Sequence, residues 1–365
     1  MEFNKELIYK IIDNKIDKIR LNYLNEQELN TLYHSLTLNH SLKQINLSDN
    51  QLKDITLLCE SLENNSCLEK LDLSSNKIKD LTPLKFLSNS CLQELSLYNN
   101  KIEDITPLKY LLNSCLQYLD LSWNKIKDIN PLKFLSNSCL QELKLTSNQI
   151  EDVTSLEFLS NYCLKYLYLS CNKIKDITPF KFLSNSCLQG LTLSENQIED
   201  LTLLKFLSNS CLKNLDLSSN QIEDITPLSY LENNSCLEAL NLYGNQIRDI
   251  TSLRFLENNS CLEYLNLGYN KIEDITSLKY LKNNSCLKKL DLYDNQIRDI
   301  TPLKYLENNS CLNILSLSRN KIEDIPPLEF LSNSCLKILD LSNNPLSYQK
   351  IRNIIVKLKQ IKLII

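Results

Sequence analysis

The chain of 365 residues is poor in several residue types on which particular functions depend. Its three glycines leave no glycine-rich loop of the kind that cradles a phosphate group in nucleotide-binding folds. Its two histidines, His34 and His40, both lie near the N-terminus, and the sequence contains no HExxH or CxxC pair. The sequence therefore predicts no catalytic site, no metal site, no cofactor and no small-molecule substrate. We expect a protein that is not an enzyme.

Long hydrophobic runs and a large excess of charge are also missing. No run of about 18 apolar residues is present to span a membrane. Charged residues interrupt the first 20 residues throughout, so we expect no signal peptide. The net charge of −4 gives no global electrostatic reason to bind nucleic acid. The predicted localisation is cytoplasmic.

What the chain does have is a repeat, because variants of LxxLxLxxNxI occur thirteen times. The intervals between the repeated asparagines are 24 to 26 residues. Self-similarity at such a period predicts a solenoid of stacked coils. The asparagines are Asn50, Asn76, Asn100, Asn124, Asn148, Asn172, Asn196, Asn220, Asn245, Asn270, Asn295, Asn320 and Asn344.

Residues 92–115 illustrate one coil. Leu92, Leu95 and Leu97 alternate with polar residues, which predicts a short strand. We expect the amide of Asn100 to turn the chain and to bond backbone groups of adjacent turns. The step Thr106-Pro107 predicts a helix of about two turns, with the threonine as its N-cap. The aspartates that precede such steps by two residues are predicted to bond nearby backbone amides.

These coils resemble leucine-rich repeats, and the NxIxDIxxL stretch, as in residues 124–129, most resembles the class that includes regulatory subunits of protein phosphatase 1. The resemblance implies an α/β fold: a curved solenoid with a parallel sheet on the concave face and short helices on the convex face. The unit is longer than is usual in that class, so we do not transfer phosphatase binding. The predicted organisation is an N-terminal cap with a degenerate first coil in 1–41, thirteen repeats in 42–345, and a C-terminal capping helix in 346–365.

Twelve of the fourteen cysteines occupy one column, each immediately before the first leucine of a repeat. Thiols stacked in parallel lack the opposed geometry of a disulfide, and a linear column cannot surround a metal tetrahedrally. We therefore expect a buried column of reduced thiols that serve as small apolar filler. The column comprises Cys67, Cys91, Cys115, Cys139, Cys163, Cys187, Cys211, Cys236, Cys261, Cys286, Cys311 and Cys335.

Tyrosine and tryptophan at the variable positions around LxLxxN are the candidate partner-binding residues. They combine a large apolar area with a polar group, and such residues dominate interface hot spots. One group is Tyr98, Tyr118, Trp123, Tyr166 and Tyr168, and the other is Tyr243, Tyr264, Tyr269 and Tyr293. The alternative is that tyrosine is merely tolerated on an exposed strand, where it has good β-propensity. The leading hypothesis is a monomeric scaffold or regulator that binds a protein partner on its concave face.

A second hypothesis is an RNA-binding or anionic-membrane-binding protein. Its basis is a basic stripe on the convex face together with helical spacing of Ile351, Ile354, Ile355, Leu358 and Ile361 among lysines. The plainer interpretations are a solvated helix face and a helix that covers the last coil. The stripe comprises Lys85, Lys109, Lys133, Lys181, Lys205, Arg254, Lys279 and Lys304.

Overall fold

The structure is a computed structural model that describes residues 3–112, 114–159, 163–185, 187–208, 210–325, 335–347, 349 and 361–364. Its internal contacts form two units, Met1–Ile174 and Lys175–Ile365, which are treated separately below. Among the helices that the structure describes, none combines the length and the apolar character needed to cross a lipid bilayer.

The first unit begins with helix α1 (Lys5–Ile12), strand β1 (Lys18–Arg20) and helix α2 (Glu26–Leu36). Asn25 caps α2 in a capping box, since its side chain accepts from the Glu28 amide while the Glu28 side chain accepts from the Asn25 amide. Strand β1 and helix α2 both lie within residues 1–41, where the sequence predicts a degenerate first coil.

Each coil contributes one strand of three residues, and strands of successive coils pair in parallel within each unit. The central residue of every strand from β1 to β14 is buried in the core. The two flanking side chains point to the opposite side of the sheet, which we call the strand face, and in most strands neither of them is buried. In the first unit β1 is followed by β2 (Gln44–Asn46), β3 (Lys70–Asp72), β4 (Glu94–Ser96), β5 (Tyr118–Asp120), β6 (Glu142–Lys144) and β7 (Tyr166–Tyr168). In the second unit the strands are β8 (Gly190–Thr192), β9 (Asn214–Asp216), β10 (Ala239–Asn241), β11 (Tyr264–Asn266), β12 (Lys289–Asp291), β13 (Ile314–Ser316), β14 (Ile338–Asp340) and β15 (Lys362–Ile364).

The repeated asparagines form the ladder that the sequence predicts. Asn124 is representative: its amide nitrogen donates to the carbonyls of Leu97 and Leu121, both at 3.0 Å. Its carbonyl oxygen accepts from the amide of Ile102 at 3.0 Å. All of these side chains except that of Asn344 are buried, so they satisfy backbone groups that water cannot reach.

The wall opposite the strands is built of α3 (Thr56–Ser61) and of short 3₁₀ helices rather than the predicted α-helical turns. Threonine is not their N-cap. In the coil after β3, Leu81 holds the cap position without a side-chain bond, while Asp80 accepts from the amide of Thr82 at 2.8 Å. The predicted role of the aspartates in these turns is thus confirmed. The 3₁₀ helices span Thr82–Leu87, Thr106–Leu111, Asn130–Leu135, Thr154–Leu159, Thr178–Asn185, Thr202–Leu207, Thr226–Leu231, Thr251–Leu256, Thr276–Leu281 and Thr301–Leu306.

The longer coils of the second unit contain a second asparagine ladder that the sequence analysis missed. Asn259 donates to the Leu237 carbonyl at 3.1 Å and accepts from the amides of Cys261 and Leu262 at 3.0 and 2.8 Å. In the 24-residue coils a serine stands nearby instead, and Ser114 donates only to the Leu111 carbonyl. The extra residue of the 25-residue coils therefore accommodates a buried amide.

The cysteine column is on the surface, so the prediction of buried filler is wrong. Nine of its twelve members are exposed, and Cys163, Cys286 and Cys311 are half-buried. Successive side chains of an extended segment point to opposite sides. Because the leucine after each cysteine, such as Leu92, is fully buried, the cysteine before it points away from the core.

The C-terminal end also departs from the prediction. Residues Lys362–Ile364 form β15, which pairs in parallel with β14. A strand therefore lies where a capping helix was expected to end. Four of the five apolar residues that carry the helical spacing lie outside the described residues, and the fifth, Ile361, directly precedes β15.

Candidate functional site

The predicted aromatic residues occupy three positions of the coil. Tyr118, Tyr166, Tyr168 and Tyr264 flank the buried centres of their strands and belong to the strand face. Tyr98, Tyr243 and Tyr293 follow the strand by two residues, after an inward leucine. Trp123 and Tyr269 come one residue later, immediately before the ladder asparagine. Both groups thus border the strand face of their own unit.

In the first unit a lysine joins two of these tyrosines. The ammonium of Lys144 lies 5.0 Å from the ring centre of Tyr118 and 5.4 Å from that of Tyr168. It also donates to the Tyr118 hydroxyl at 3.3 Å and pairs with Glu142 at 3.0 Å. Tyr166 stacks on Tyr168 with ring centres 6.4 Å apart. The result is a cation held between aromatic faces, an arrangement that the ring quadrupole stabilises.

The electrostatics of this cluster follow from partial burial. Burial and, next, the nearby Asp120 raise the pKa of Tyr118 to about 12, although Lys144 acts to lower it. Burial alone would lower the pKa of Lys144, but its bonds to Glu142 and Tyr118 outweigh that effect and raise it. At neutral pH the lysine is therefore charged and the tyrosine is neutral.

Trp123 stands apart from that cluster. It makes no ring contact with another aromatic residue of the described chain, and 56% of it is exposed. Its backbone is left-handed, with φ of 58°, as is that of the equivalent residue in most coils. Tyr98, in the coil before, is 36% exposed. A bulky side chain in a left-handed conformation costs roughly 1–2 kcal/mol.

The strand face near β1 is concave. A cavity of about 630 Å³ is lined there by Lys18, Arg20, Lys70, Glu94 and Tyr118, among others. Lys70 pairs with Glu94 at 2.6 Å. Within the described residues no acidic side chain pairs with Lys18 or Arg20, so these two cations give the cavity a basic end.

In the second unit the aromatic residues contact one another. The ring centre of Tyr243 lies 5.8 Å from those of Tyr269 and Tyr293. Gly268 makes this packing possible, because a Cβ added there would lie 2.6 Å from the ring of Tyr293. Tyr269 has a left-handed backbone with φ of 54° and is 57% exposed.

Tyr264 lies at the edge of that group and is polar in its contacts. Its hydroxyl donates to Asp291 at 3.3 Å and accepts from Asn266 at 2.9 Å. Lys289 lies 5.1 Å over its ring and pairs with Asp291 at 2.7 Å. Burial raises the pKa of Tyr264 to about 12, and Asp291 contributes in the same direction.

Sequence models of repeat families match most of the chain. A model described as Leucine Rich repeats (2 copies) matches residues 40–86, 68–110, 92–134, 140–185, 210–255, 237–280 and 262–305. A second, described as Leucine rich repeat, matches residues 163–222 and 285–346. The chain belongs to the leucine-rich repeat family. The narrower likeness to phosphatase regulators stays a prediction.

Solved structures with the same fold include an internalin, InlF, of Listeria monocytogenes. It is 31% identical, with coverage of 92% of this chain and 89% of that chain and a TM-score of 0.74. A leucine-rich repeat protein of Leptospira interrogans is 24% identical over 100% of this chain and 99% of that chain, with a TM-score of 0.79. An ectodomain of the Arabidopsis thaliana receptor kinase GASSHO1/SCHENGEN3, in complex with CASPARIAN STRIP INTEGRITY FACTOR 2, is 22% identical over 90% of this chain and 47% of that chain, with a TM-score of 0.55. No curated protein matches the chain.

Leucine-rich repeat proteins generally mediate protein–protein interaction, and the fold is typically a non-catalytic scaffold. In this leucine-rich repeat chain, no three His, Cys, Asp or Glu side chains of the described residues gather closely enough to hold a metal ion.

Sequence reasoning missed Lys144, Lys289 and Tyr23. A signal for the first two was present: Lys144 lies 24 residues before Tyr168 and pairs with it across the strands, as Lys289 does with Tyr264. The sequence analysis did not assign each charged residue to its position in the pairing of neighbouring strands. Tyr23 was missed because the first coil lacks the ladder asparagine, yet it is 81% exposed at the left-handed position, with φ of 58°.

The basic stripe on the other wall is partly accounted for by local contacts. Six of its lysines place the ammonium 4.7 to 5.4 Å from the ring centre of the next residue, as Lys85 does over Phe86. Each such lysine has an intramolecular partner on the repeat itself. The other part of the membrane hypothesis, the spacing within 350–360, lies outside the described residues.

Proposed function

We propose that this chain is a non-catalytic protein-binding module whose exposed aromatic residues beside the strand face contact a protein partner. The observation that carries the proposal is that Trp123 and Tyr269 expose more than half of a bulky aromatic side chain at the left-handed position of the coil. The fold does not need an aromatic residue there, since Ser75, Ser147 and Ser219 hold the same position in other coils. A large exposed aromatic side chain at a position where the fold accepts serine favours a role in recognition.

The first unit supports a surface with mixed chemistry. Trp123 and Tyr98 offer apolar area, whereas Tyr118, Lys144 and Tyr168 form a cluster whose charges are already paired. Because those pairs exist before binding, a partner meets them preorganised and less ordering is required on association. The tryptophan is then the anchor, and the cluster supplies a fixed polar surround.

The second unit supports a more apolar surface. Tyr243 and Tyr269 present adjoining rings, and Tyr293 lies against the backbone of Gly268. Rings packed on one another lose little rotamer freedom on binding, a property that favours hot-spot residues. We treat the two surfaces as separate candidates, one in each unit.

The proposed setting is a monomer in the cytoplasm. Exposed cysteines such as Cys91, Cys115 and Cys139 carry free thiols, a state typical of a reducing compartment. No specific observation favours RNA or an anionic membrane as the partner. If electrostatic contacts carried the binding, its affinity would fall steeply with rising salt.

The test compares capture of proteins from cell extract by the wild type and by Trp123→Ser and Tyr269→Ser, which restore the serine of neighbouring coils. Matched controls are Phe158→Ser and Tyr230→Ser, which remove aromatic residues 49% and 44% exposed on the 3₁₀ wall. All variants are checked for folding by circular dichroism. Partners captured by the wild type should be quantified by mass spectrometry and their affinities measured.

We expect at least one of the two strand-face variants to lower the affinity for the captured partner about 30-fold, the size of a 2 kcal/mol hot spot. The controls should bind as the wild type does. Loss of binding in Phe158→Ser or Tyr230→Ser, with both strand-face variants unaffected, would move the site to the opposite wall.

A further inference from the structure

The exposed cysteine column raises the question of what a row of surface thiols can bind. Two residues after each cysteine the backbones of neighbouring coils are hydrogen-bonded: the amide of Glu263 donates to the carbonyl of Glu238, and the amide of Lys288 donates to that of Glu263, both at 2.8 Å. The cysteines of successive coils are therefore held in register, with side chains that project in the same direction. Their separation follows the spacing of paired strands, about 4.7–4.9 Å.

The 25-residue coils hold their cysteines most firmly. The second asparagine ladder accepts from the backbone amides of four consecutive members, at 3.0 to 3.2 Å. These four are Cys236, Cys261, Cys286 and Cys311. The 24-residue coils have a serine near this position and lack the asparagine bond, as at Ser114.

The spacing of this row fits one class of ligand. A disulfide needs Cβ atoms about 3.8 Å apart and opposed side chains, so neighbouring coils would have to move together. A metal ion bridging two thiolates needs more room: two metal–sulfur bonds of roughly 2.2 Å, slightly shorter than a zinc–thiolate bond, give a linear bridge of about 4.4 Å. That length is close to the coil spacing. A tetrahedral ion would need further ligands, and no group of three or more ligating side chains exists in the described part of the chain.

We propose that the four cysteines Cys236, Cys261, Cys286 and Cys311 bind Cu(I), two-coordinate, between thiolates of adjacent coils. Soft thiolate ligands select Cu(I), and a linear arrangement requires only two of them. Each ion that binds displaces one proton from each of two thiols, and no electron is transferred because the metal enters as Cu(I). Four consecutive thiols hold two ions.

The surroundings suit the charge that develops on binding. Two thiolates and one Cu(I) carry a net negative charge. The ammonium of Lys288, which pairs with Glu263 at 2.7 Å, lies within electrostatic reach of both Cys286 and Cys311. Its positive charge attracts the anionic complex that forms on binding. The site is separate from the proposed protein-binding residues and does not depend on them.

The test titrates reduced full-length protein with Cu(I) under argon, in competition with bathocuproine disulfonate. A background variant with serine at the other ten cysteines, which are the eight remaining column positions together with Cys59 and Cys171, isolates the four cysteines. Two double variants of that background each lose two thiols. Cys236→Ser with Cys261→Ser leaves an adjacent pair, whereas Cys236→Ser with Cys286→Ser leaves two thiols separated by two coils, about 9.5 Å.

We expect the background to retain two Cu(I) ions, the variant with an adjacent pair to retain one, and the variant with separated thiols to bind at least tenfold more weakly. Equal binding by the two double variants would overturn the proposal, because thiol number and not adjacency would then decide. As an independent measurement, X-ray absorption of the loaded wild type should show two sulfur ligands per ion. Three sulfur ligands, or copper-dependent dimers in size-exclusion chromatography, would also contradict it.

Discussion

In the unit Met1–Ile174, Lys144 lies between the rings of Tyr118 and Tyr168 and is neutralised by Glu142. In the unit Lys175–Ile365, the ring of Tyr243 instead contacts two other rings. The backbone beneath the two clusters is the same, since both rest on paired strands and on the asparagine ladder. A repeated framework thus fixes where side chains stand, and the residues at the variable positions of each coil decide whether a surface is polar or apolar.

The ladder should be equally important in both units. Asn148→Ala and Asn270→Ala each remove the acceptor of one backbone amide and the donor to the carbonyls of two buried leucines. Leaving such buried groups unpaired is expected to lower the free energy of unfolding by roughly 2–4 kcal/mol. Chemical denaturation measures the free energy of unfolding of each variant. Thr146→Ala is the control and is expected to lie within about 0.5 kcal/mol of wild type. Losses that differ by more than about 1 kcal/mol would mean that the frameworks are not equivalent.

The second asparagine ladder should separate the 25-residue coils from the 24-residue coils. Asn259→Ala leaves the amides of Cys261 and Leu262 without their acceptor, and we expect a loss of roughly 1–3 kcal/mol. Ser114→Ala removes only a donor to Leu111 and should cost about 0.5–1.5 kcal/mol. Denaturation of the two variants checks the ranking, and a larger loss in Ser114→Ala would refute the idea that the extra residue serves the buried amide.

Periodicity predicted those features that have a single structural solution. Leucines at fixed spacing must face one core, and an asparagine recurring beside them must satisfy the turn, so the strands and the first ladder could be inferred. The exposure of Cys91 could not be inferred, because cysteine occurs both in cores and on surfaces. The direction in which its side chain points depends on where the extended segment begins. The second ladder could not be inferred either, because Asn65 and Asn259 occur among other asparagines and only packing distinguishes the buried one.

The candidate site was predicted in part. The aromatic residues were singled out because they occur at variable positions of the repeat, and they lie on or beside the strand face. Their role in binding stays a prediction. The role of Lys144 was not predicted, because its contacts depend on how strands β5, β6 and β7 pair and not on its neighbours in sequence. Placing each charge by coil and strand position would have brought Tyr118, Lys144 and Tyr168 together before any coordinates were known.

The smallest expected effect concerns the ionisation of one tyrosine in each unit, Tyr118 and Tyr264, at high pH. The pKa values of Tyr118 and Tyr264 are raised from 10.0 to about 12, in each case mainly by burial. Unfolded tyrosines ionise first, so the stability these residues contribute is present below pH 10 and is lost as the pH rises towards 12. Tyr118→Phe and Tyr264→Phe should each flatten that decline, by less than about 1 kcal/mol because both side chains are about half exposed.

The clusters should differ in response to their cations: Lys144→Met removes a charge that lowers the pKa of Tyr118, so tyrosinate absorbance should appear at higher pH. An unchanged or lower midpoint in that variant would show that Lys144 does not act on the Tyr118 hydroxyl, and the cation-centred description of the first unit would have to be abandoned.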